Sequence, residues 1–188
     1  MGRPTVIIAS EVVFITGNKH KVRYLEQWLG MPIRHQKIDL DEVQSLDLKV
    51  VTEHKARQAY HIVQKPVLVE DVGLTFNALG RLPGPLIKWF LEELDLRQLC
   101  NLLSKDDDHS AVASILYGLY DGKTMHYFGA DISGTITDKP RGDLGFGWNA
   151  IFVPDGSDKT YAQMTDEEIV PFSHRAAAIE KLRAFLTK

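Results

Sequence analysis

Disulfide bonds within the chain are excluded by composition, because only one cysteine, Cys100, occurs among the 188 residues. The sequence also lacks any run of about 18 apolar residues, so no transmembrane helix is expected. The apolar stretch that follows Met1-Gly2-Arg3-Pro4-Thr5 is too short for a signal peptide. Together these absences predict a cytoplasmic protein without a membrane segment.

The sequence also lacks a large excess of either positive or negative charge. The formal net charge is −3, and we interpret the acidic run Asp106-Asp107-Asp108 as a solvated loop rather than a metal site. Non-specific attraction to nucleic acid is therefore not expected, and an anionic ligand must be held by locally placed cations. No HExxH, GxSxG or paired CxxC motif supports a zinc protease, a serine hydrolase or a zinc ribbon.

The spacing of apolar residues predicts an α/β fold. Strands are predicted at 12–15, 33–40, 67–69, 111–120, 123–130 and 132–137. Helices are predicted after Asn18, at 48–64, at 86–91 with Pro85 in the first helical position, and after the N-cap Ser173. Strands and helices alternate in the first third, and the middle is antiparallel around the turn Asp121-Gly122. The order predicts a mixed sheet flanked by helices in a single domain, 1–188, which is compatible with two lobes.

The turn between the first strand and the first helix is a candidate anion site. Thr16-Gly17-Asn18 follows the strand directly, and Lys21 lies one turn into the helix. Backbone N–H groups and the helix dipole receive anions at such positions, and Asn18 and Lys21 supply further donors. The same residues also suit a plain strand–turn–helix joint with surface lysines.

Two adjacent carboxylates, Glu70 and Asp71, end the third predicted strand. Ligands of open α/β sheets collect at this end, where a carboxylate binds Mg²⁺ or orients a water molecule. Because neighbouring strand residues point to opposite faces, one carboxylate is expected at the site and the other at a structural partner. Glu42, after the second strand, is a further candidate. The alternative is a pair of acids in an ordinary turn and a third at the surface.

Two later segments carry aromatic and cationic residues. The glycine-rich segment 142–148 holds Phe146 and Trp148, whose rings suit either stacking on a nucleobase or a plug over the core. Ser173-His174-Arg175 opens the last helix, where the dipole disfavours cations. The His-Arg pair therefore indicates a nearby anion or acceptor, with a solvated first turn as the alternative.

These segments occur in the order and at the spacing of a known family. From about residue 12 to its end, the sequence resembles the inosine triphosphate pyrophosphatases. The matching segments are Thr16-Gly17-Asn18 with Lys21, Ile38-Asp39-Leu40 with Glu42, Lys55-Ala56, Val69-Glu70-Asp71, Leu82-Pro83-Gly84-Pro85 with Ile87-Lys88-Trp89-Phe90, Gly145-Phe146-Gly147-Trp148, Pro154-Asp155-Gly156, Tyr161-Ala162 and Ser173-His174-Arg175. Each segment alone is weak, whereas the ordered set is highly specific.

The resemblance implies a two-lobed α/β fold with an active cleft between the lobes, usually in a homodimer. It implies attack of water on the α-phosphorus of a non-standard purine nucleoside triphosphate such as ITP, dITP or XTP, with Mg²⁺ or Mn²⁺ as cofactor. The implied products are a monophosphate and pyrophosphate, and the implied role is to cleanse the nucleotide pool. The implied partner is a small molecule, with neither nucleic acid nor a membrane involved.

The resemblance also implies roles for residues of this sequence. The implied triphosphate contacts are Thr16, Asn18, Lys21 and Lys55. The implied metal ligands are Glu42 and Asp71, with Asp71 also activating water and with Glu70 and Lys21 supporting catalysis. The implied base-pocket residues are Phe146, Trp148, Asn149, Ser173, His174 and Arg175.

The sequence departs from the family pattern in the base pocket. Asn149 stands where an acidic residue is usual, and Ile169 and Val170 stand where a lysine and an asparagine are usual. These departures predict a relaxed or shifted base selectivity. Two other interpretations remain open: a nucleotide-binding or sensing protein with little turnover on the same fold, and a pyrophosphatase for modified pyrimidines. The intact carboxylates argue against the first, and the Ser-His-Arg segment against the second.

Overall fold

A mixed β-sheet runs through the centre of the fold. The computed structural model describes residues 7–187. The first six residues, at which a signal peptide was considered and not expected, lie outside the described residues. Within 7–187 the strands are β1 (Val13–Ile15), β2 (Arg34–Gln36), β3 (Val67–Phe76), β4 (Pro83–Gly84), β5 (Ser110–Tyr120), β6 (Met125–Ile136) and β7 (Phe152–Pro154). The α-helices of that range are α1 (Lys19–Leu29), α2 (Leu48–Val63), α3 (Ile87–Glu93), α4 (Leu96–Cys100) and α5 (His174–Leu186). None of them is long and apolar enough to cross a membrane.

The sheet combines parallel and antiparallel pairing. The strand order is β2-β1-β3-β5-β6-β7, and β4 pairs with β3. β1 runs parallel to β2 and β3, because α1 and α2 are the crossovers between these strands, whereas the other pairs are antiparallel. Gly122, with a φ of 94°, allows the tight turn between β5 and β6. The predicted mixed α/β sheet with flanking helices is confirmed.

Helices α1 and α2 present their site residues because each has a capped start and one buried face. Asn18 caps α1, and Gly30 ends it in the left-handed conformation with a φ of 72°. Asp47 caps α2 by accepting a hydrogen bond from the N–H of Lys49. Lys55 lies one turn after the buried Val51, so it faces the sheet rather than the solvent.

Apolar clusters lie at both ends of the long strands β3, β5 and β6. Near β1, α1 and α5 cover one face of the sheet and α2 covers the other. Toward the far end of β3, Leu74 and Phe76 pack with Ile87 of α3, Leu99 of α4 and Trp148. The same strands therefore carry two lobes, and the cleft described below lies between them.

Several predicted boundaries are wrong. The second strand, predicted at 33–40, is limited to Arg34–Gln36, which are exposed on an edge strand. The third strand does not end at Glu70 and Asp71, because β5 pairs with each residue of β3 from Val67 to Phe76. Pro85 is not the first residue of a helix, since α3 begins at Ile87 after the N-cap Leu86. The segments predicted at 123–130 and 132–137 form the single strand β6.

Candidate active site

The turn after β1 places Thr16, Asn18 and Lys21 beside β3. Asn18 Oδ1 accepts hydrogen bonds from the N–H groups of His20 at 2.9 Å and Lys21 at 3.3 Å. Thr16 Oγ1 accepts a hydrogen bond from the N–H of Asn18 at 3.1 Å. These three N–H groups are therefore engaged within the turn itself. The donors available to an anion here include the amide nitrogen of Asn18 and the ammonium of Lys21.

Glu70 is buried under the cleft with three donors around its carboxylate. The hydroxyl of Tyr117 donates to Oε2 at 2.7 Å, Nη2 of Arg175 donates to Oε1 at 2.8 Å, and Nζ of Lys21 lies 3.2 Å from Oε1. Burial alone would raise the pKa of Glu70, but Arg175, Lys21 and the Tyr117 hydroxyl lower it to about 2. Glu70 is thus an ionised structural partner, and it is the anion that the position of Arg175 indicated.

Asp71 points to the opposite face of β3 and meets lysines. Nζ of Lys55 lies 2.7 Å from Oδ1 of Asp71 and 3.2 Å from Oε1 of Glu42, and Nζ of Lys88 lies 2.8 Å from the second oxygen of Glu42. Oδ2 of Asp71 is buried and has no hydrogen-bond partner within the described residues. Burial raises the pKa of Asp71, and the nearby Lys55 offsets this only in part. Such a carboxylate is suited to accept a proton or to bind a cation.

The lysines in turn fix the ionisation of this face of the cleft. Burial would lower the pKa of Lys55, but Asp71 and Glu42 raise it above its ordinary value. Burial would raise the pKa of Glu42, but hydrogen bonds and charge from Lys88 and Lys55 lower it. Lys55 and Glu42 are therefore both charged at neutral pH.

His174 stands in an aromatic stack at the other end of the cleft. Its ring centroid lies 5.9 Å from that of Trp148 and 6.1 Å from that of Tyr161, with interplanar angles of 29° and 11°. Neither ring nitrogen of His174 has a hydrogen-bond partner in the part of the chain that the structure describes. Burial, with the charge of Arg175 in second place, lowers the pKa of His174 to about 3. His174 therefore offers a neutral imidazole with one donor and one acceptor.

Phe146 and Trp148 occupy different environments. Trp148 is buried and packs edge-on against Phe152 at 5.6 Å, so its ring is a wall of the core that also borders the cleft. Phe146 is half-buried and lies 5.7 Å from the guanidinium of Arg175, which has Tyr24 at 5.7 Å as well. Arg175 is therefore held by two rings in addition to Glu70.

Helix α5, which carries His174 and Arg175, starts directly after its N-cap residue Ser173. Ser173 Oγ accepts a hydrogen bond from the N–H of Ala176 at 3.1 Å, so the predicted N-cap is confirmed. The hydroxyl oxygen is thus engaged in holding the turn that presents His174 and Arg175.

Adjoining cavities, which we call the cleft, bring the predicted residues together. A cavity of about 400 Å³ is lined by Asn18, Lys21, Glu42, Lys55, Asp71, Phe146, Trp148, Asn149, His174 and Arg175. A second, of about 550 Å³, shares Lys21, Glu42 and Lys55 and adds Thr16 and Glu70. A recess of about 30 Å³ shares Asn149, His174 and Arg175 and adds Ser173 and Ile169. The cleft thus has a lysine- and acid-rich end and an aromatic end.

The residues at the charged end fit a Mg²⁺ ion that brings part of its own ligand shell. Mg²⁺ is usually held by one or two carboxylates together with waters and substrate phosphates. Glu42 and Asp71 are two such carboxylates, and Oδ2 of Asp71 is an unpartnered hard oxygen. Within residues 7–187, no group of three or more His, Cys, Asp or Glu side chains is arranged to hold a metal. The donor set therefore suits an ion that arrives with phosphate ligands.

Among the residues that were not predicted from the sequence, Lys88, Tyr24 and Tyr117 contact charged residues of the site. Lys88 lies in one of the segments that match the family, and that match could have identified Lys88 as a site residue. Tyr24 lies on the α1 face that meets Arg175, and its contact follows from the packing of α1 against α5. Tyr117 pairs with Glu70 across the β3–β5 ladder, and only the strand register reveals it.

Fold and cleft together define a class of protein: an α/β protein whose cleft has lysines and carboxylates at one end and aromatic rings at the other. The chain belongs to the Ham1 family, whose model matches residues 12–185. It is 43% identical over 183 residues to the inosine triphosphate pyrophosphatase of Schizosaccharomyces pombe, with 95% of this chain and 96% of that protein covered. It is 39% identical over 178 residues to inosine triphosphate pyrophosphatase 2 of Trypanosoma cruzi, with 93% and 91% covered.

A solved structure of the same family has a similar fold. The HAM1 protein from Coxiella burnetii aligns with a TM-score of 0.84 at 26% identity, and the alignment covers 95% of this chain and 98% of that one. The resemblance to the inosine triphosphate pyrophosphatases is therefore confirmed at the level of family and fold.

Proposed function

We propose that this protein hydrolyses non-standard purine nucleoside triphosphates, ITP, dITP and XTP, to a monophosphate and pyrophosphate. The observation that carries the proposal is that one cavity of about 400 Å³ joins Lys21, Lys55 and Asp71 at one end to His174 and Arg175 at the other. That arrangement suits a ligand with a polyphosphate at one end and an oxo-purine at the other. The names of the two relatives support the same substrate class.

At the charged end, Lys21, Lys55 and the Asn18 amide bind the triphosphate, with Thr16 supporting the turn. Asp71 accepts a proton from the water that attacks the α-phosphorus, because its buried Oδ2 has no hydrogen-bond partner among the described residues and is free to accept one. Mg²⁺, or Mn²⁺ in its place, would be held by Glu42 and Asp71 and would neutralise charge on the pyrophosphate leaving group. Glu70, with a pKa of about 2, is too weak a base for this step and supports it by positioning Lys21.

At the aromatic end, His174 and Arg175 donate hydrogen bonds to the 6-oxo group of the base, while Phe146 and Trp148 border its ring. Adenine has an amino group in that position and leaves the donors unpaired, which costs about 1–3 kcal/mol per lost partner. The neutral state of His174 means that it can donate one hydrogen bond and accept another from N1–H.

Base selectivity is the part of the proposal in which this chain differs from a typical family member. Asn149 and Ile169 both line the recess beside His174 and Arg175, and both are uncharged. We propose that the pocket tolerates guanine, which shares the 6-oxo group of hypoxanthine, more than a pocket with an acid and a lysine there does. Asn149→Asp is expected to sharpen the preference for ITP over GTP, measured as a ratio of kcat/KM. An unchanged ratio, or a wild-type enzyme that already rejects GTP steeply, contradicts the proposal.

The proposal also includes one catalytic domain, a cytoplasmic location and a homodimer. Light scattering coupled to size exclusion tests the dimer directly, because a monomer of 21.2 kDa is easily distinguished from twice that mass. A monomer at micromolar concentration that retains full activity contradicts the dimer without affecting the catalytic proposal.

The decisive experiment is a substrate panel. The purified protein is incubated with Mg²⁺ and ITP, dITP, XTP, GTP, ATP or dUTP, and products are separated by ion-exchange chromatography. Monophosphate plus pyrophosphate from ITP and XTP, with ATP spared, is the expected result. Release of orthophosphate instead of pyrophosphate overturns the proposed bond cleavage. A folded protein that turns over none of these substrates fits the binding or sensing alternative, and preference for dUTP fits the pyrimidine alternative.

A further inference from the structure

Tyr117 is a buried tyrosine whose hydroxyl contacts Glu70, a residue of the cleft. It lies on β5 directly across from Glu70 on β3, so the two side chains share one face of the sheet. Its ring is completely buried and packs against Phe14, with centroids 6.4 Å apart. Its hydroxyl donates to Oε2 of Glu70 at 2.7 Å. The register of two long strands therefore sets where this hydroxyl stands.

The other oxygen of Glu70 is shared between the two ends of the cleft. Oε1 accepts from Arg175 on α5 at 2.8 Å and lies 3.2 Å from the ammonium of Lys21 on α1. Arg175 belongs to the aromatic end and Lys21 to the charged end. One carboxylate oxygen thus fixes the distance between a residue proposed to read the base and a residue proposed to bind the triphosphate.

This arrangement needs the second oxygen to be occupied. A buried carboxylate without a full set of donors reorients or recruits other partners, because an unpaired buried charge is strongly disfavoured. The Tyr117 hydroxyl engages Oε2, so Oε1 remains directed at both cations. Without that hydroxyl, either cation is free to pair with Oε2 as well, and the two no longer share one point.

We propose that Tyr117 is a positioning residue for base selection: through Glu70 it holds Arg175 and Lys21 in the one arrangement in which base and triphosphate are bound together. This inference rests on the proposed function for its substrate. The removal of one hydroxyl, far below the ligand, is then expected to alter discrimination between bases.

The test compares Tyr117→Phe with Tyr127→Phe. Tyr127 is a matched control on the neighbouring strand β6, because its hydroxyl donates to the carboxylate of Glu53 at 2.6 Å and it lines none of the cleft. In Tyr117→Phe we expect the ratio of kcat/KM for ITP over ATP to fall about ten-fold, the size of one lost hydrogen bond to a charged group, with most of the change in KM. Tyr127→Phe is expected to keep the wild-type ratio.

A second comparison asks whether the effect passes through Glu70. In a Glu70→Gln background, Tyr117→Phe is expected to cause no further loss of discrimination, which is the non-additivity of residues acting as a unit. Additive losses overturn the positioning role. A Tyr117→Phe protein that loses thermal stability but keeps the wild-type ratio and KM for ITP also overturns it, because the hydroxyl then serves stability alone.

A measurement without turnover separates this inference from the proposed function. Dissociation constants for ITP and ATP are determined by calorimetry in the presence of a chelator, for wild type and both tyrosine variants. If wild type prefers ITP over ATP in binding but hydrolyses neither when Mg²⁺ is supplied in a separate assay, the proposed hydrolysis fails, while a collapsed binding ratio in Tyr117→Phe still supports the inference. If Tyr117→Phe unfolds in plain buffer, the same constants are measured in trimethylamine N-oxide, which favours the folded state.

Discussion

Glu70 and Asp71 are consecutive residues of β3 whose carboxylates lie on opposite faces of the sheet and have opposite pKa shifts. Glu70 faces Tyr117 and Arg175, and these with Lys21 lower its pKa to about 2 in spite of burial. Asp71 faces Lys55 and keeps one oxygen without a partner among the described residues, and burial raises its pKa. A pair of carboxylates separated in this way supplies one permanent charge and one group able to exchange a proton.

The first prediction concerns Asp71→Asn. The amide keeps the shape of the side chain but cannot accept the proton of water, so kcat for ITP is expected to fall by between about 10² and 10⁴ fold. Asp131→Asn, an exposed position on β6, is the control and should retain the wild-type rate. Steady-state kinetics with a pyrophosphate assay, together with thermal unfolding of both variants, checks this. An Asp71→Asn protein with wild-type kcat would remove Asp71 from the mechanism.

A second prediction follows from the position of Lys55 between Asp71 and Glu42. A divalent ion that uses both carboxylates must displace an ammonium that lies 2.7 Å and 3.2 Å from them. Lys55→Met is therefore expected to raise the affinity for Mn²⁺ about ten-fold or more in the absence of nucleotide, since two close charge pairs are lost. Loss of the free Mn²⁺ signal in electron paramagnetic resonance measures the affinity.

The control for this experiment is Lys49→Met, an exposed lysine on the same helix. It removes one positive charge from α2 without touching either carboxylate, so it reports the long-range effect of charge alone. Equal Mn²⁺ affinities of the two variants would show that Lys55 does not compete with the ion.

The third prediction is a pH dependence of stability that originates in His174. Its pKa in the folded protein is about 3, below the ordinary 6.5, so the unfolded chain binds the extra proton between these values. Stability due to this group is therefore complete above pH 6.5 and falls as the pH falls, by up to about 1.4 kcal/mol per pH unit. Glu70 acts in the same direction but only below its ordinary value of 4.5, where its unfolded form takes up a proton.

Comparison with a His174 variant between pH 6.5 and 4.5 isolates this histidine, because the other titrating groups are common to both proteins. Urea unfolding of wild type and His174→Gln at pH 6.5, 5.5 and 4.5 is expected to show free energies of unfolding that converge as the pH falls, because the variant lacks this proton. Parallel curves for the two proteins would mean that the imidazole is protonated in the folded state.

The fourth prediction separates the two ends of the cleft. Lys21→Ala is expected to raise KM for ITP, XTP and ATP to a similar extent, since the triphosphate is common to all of them. Arg175→Ala is expected to flatten the preference for ITP over ATP, because a donor to the 6-oxo group is lost. Ratios of kcat/KM across the three substrates distinguish these outcomes. If Lys21→Ala changed the ratios more than Arg175→Ala, the assignment of the two ends would be reversed.

Local patterns were sufficient to predict most strands and four of the five α-helices in residues 7–187, with α4 missed. Long-range contacts could not be predicted from them. Asn18 and Ser173 cap their helices through immediate neighbours, so the helix starts that they set follow from the sequence. The continuation of β3 beyond Asp71 depends on its pairing with β5, and two acids in a row resembled a turn. The same holds for Tyr117, which in its own strand is one more apolar residue and becomes part of the site only through the register with Glu70.

The unbroken course of β3, β5 and β6 through both lobes has a mechanical consequence. Leu68 of β3 packs in the cluster beside α1 and α5, whereas Phe76 of the same strand packs with α3 and α4. The walls of the cleft are therefore attached to common strands. We expect widening of the cleft to require bending of the hydrogen-bonded sheet rather than rotation about a hinge. We therefore expect a larger base to be accommodated first by rotation of side chains such as Phe146 and only then by deformation of the sheet.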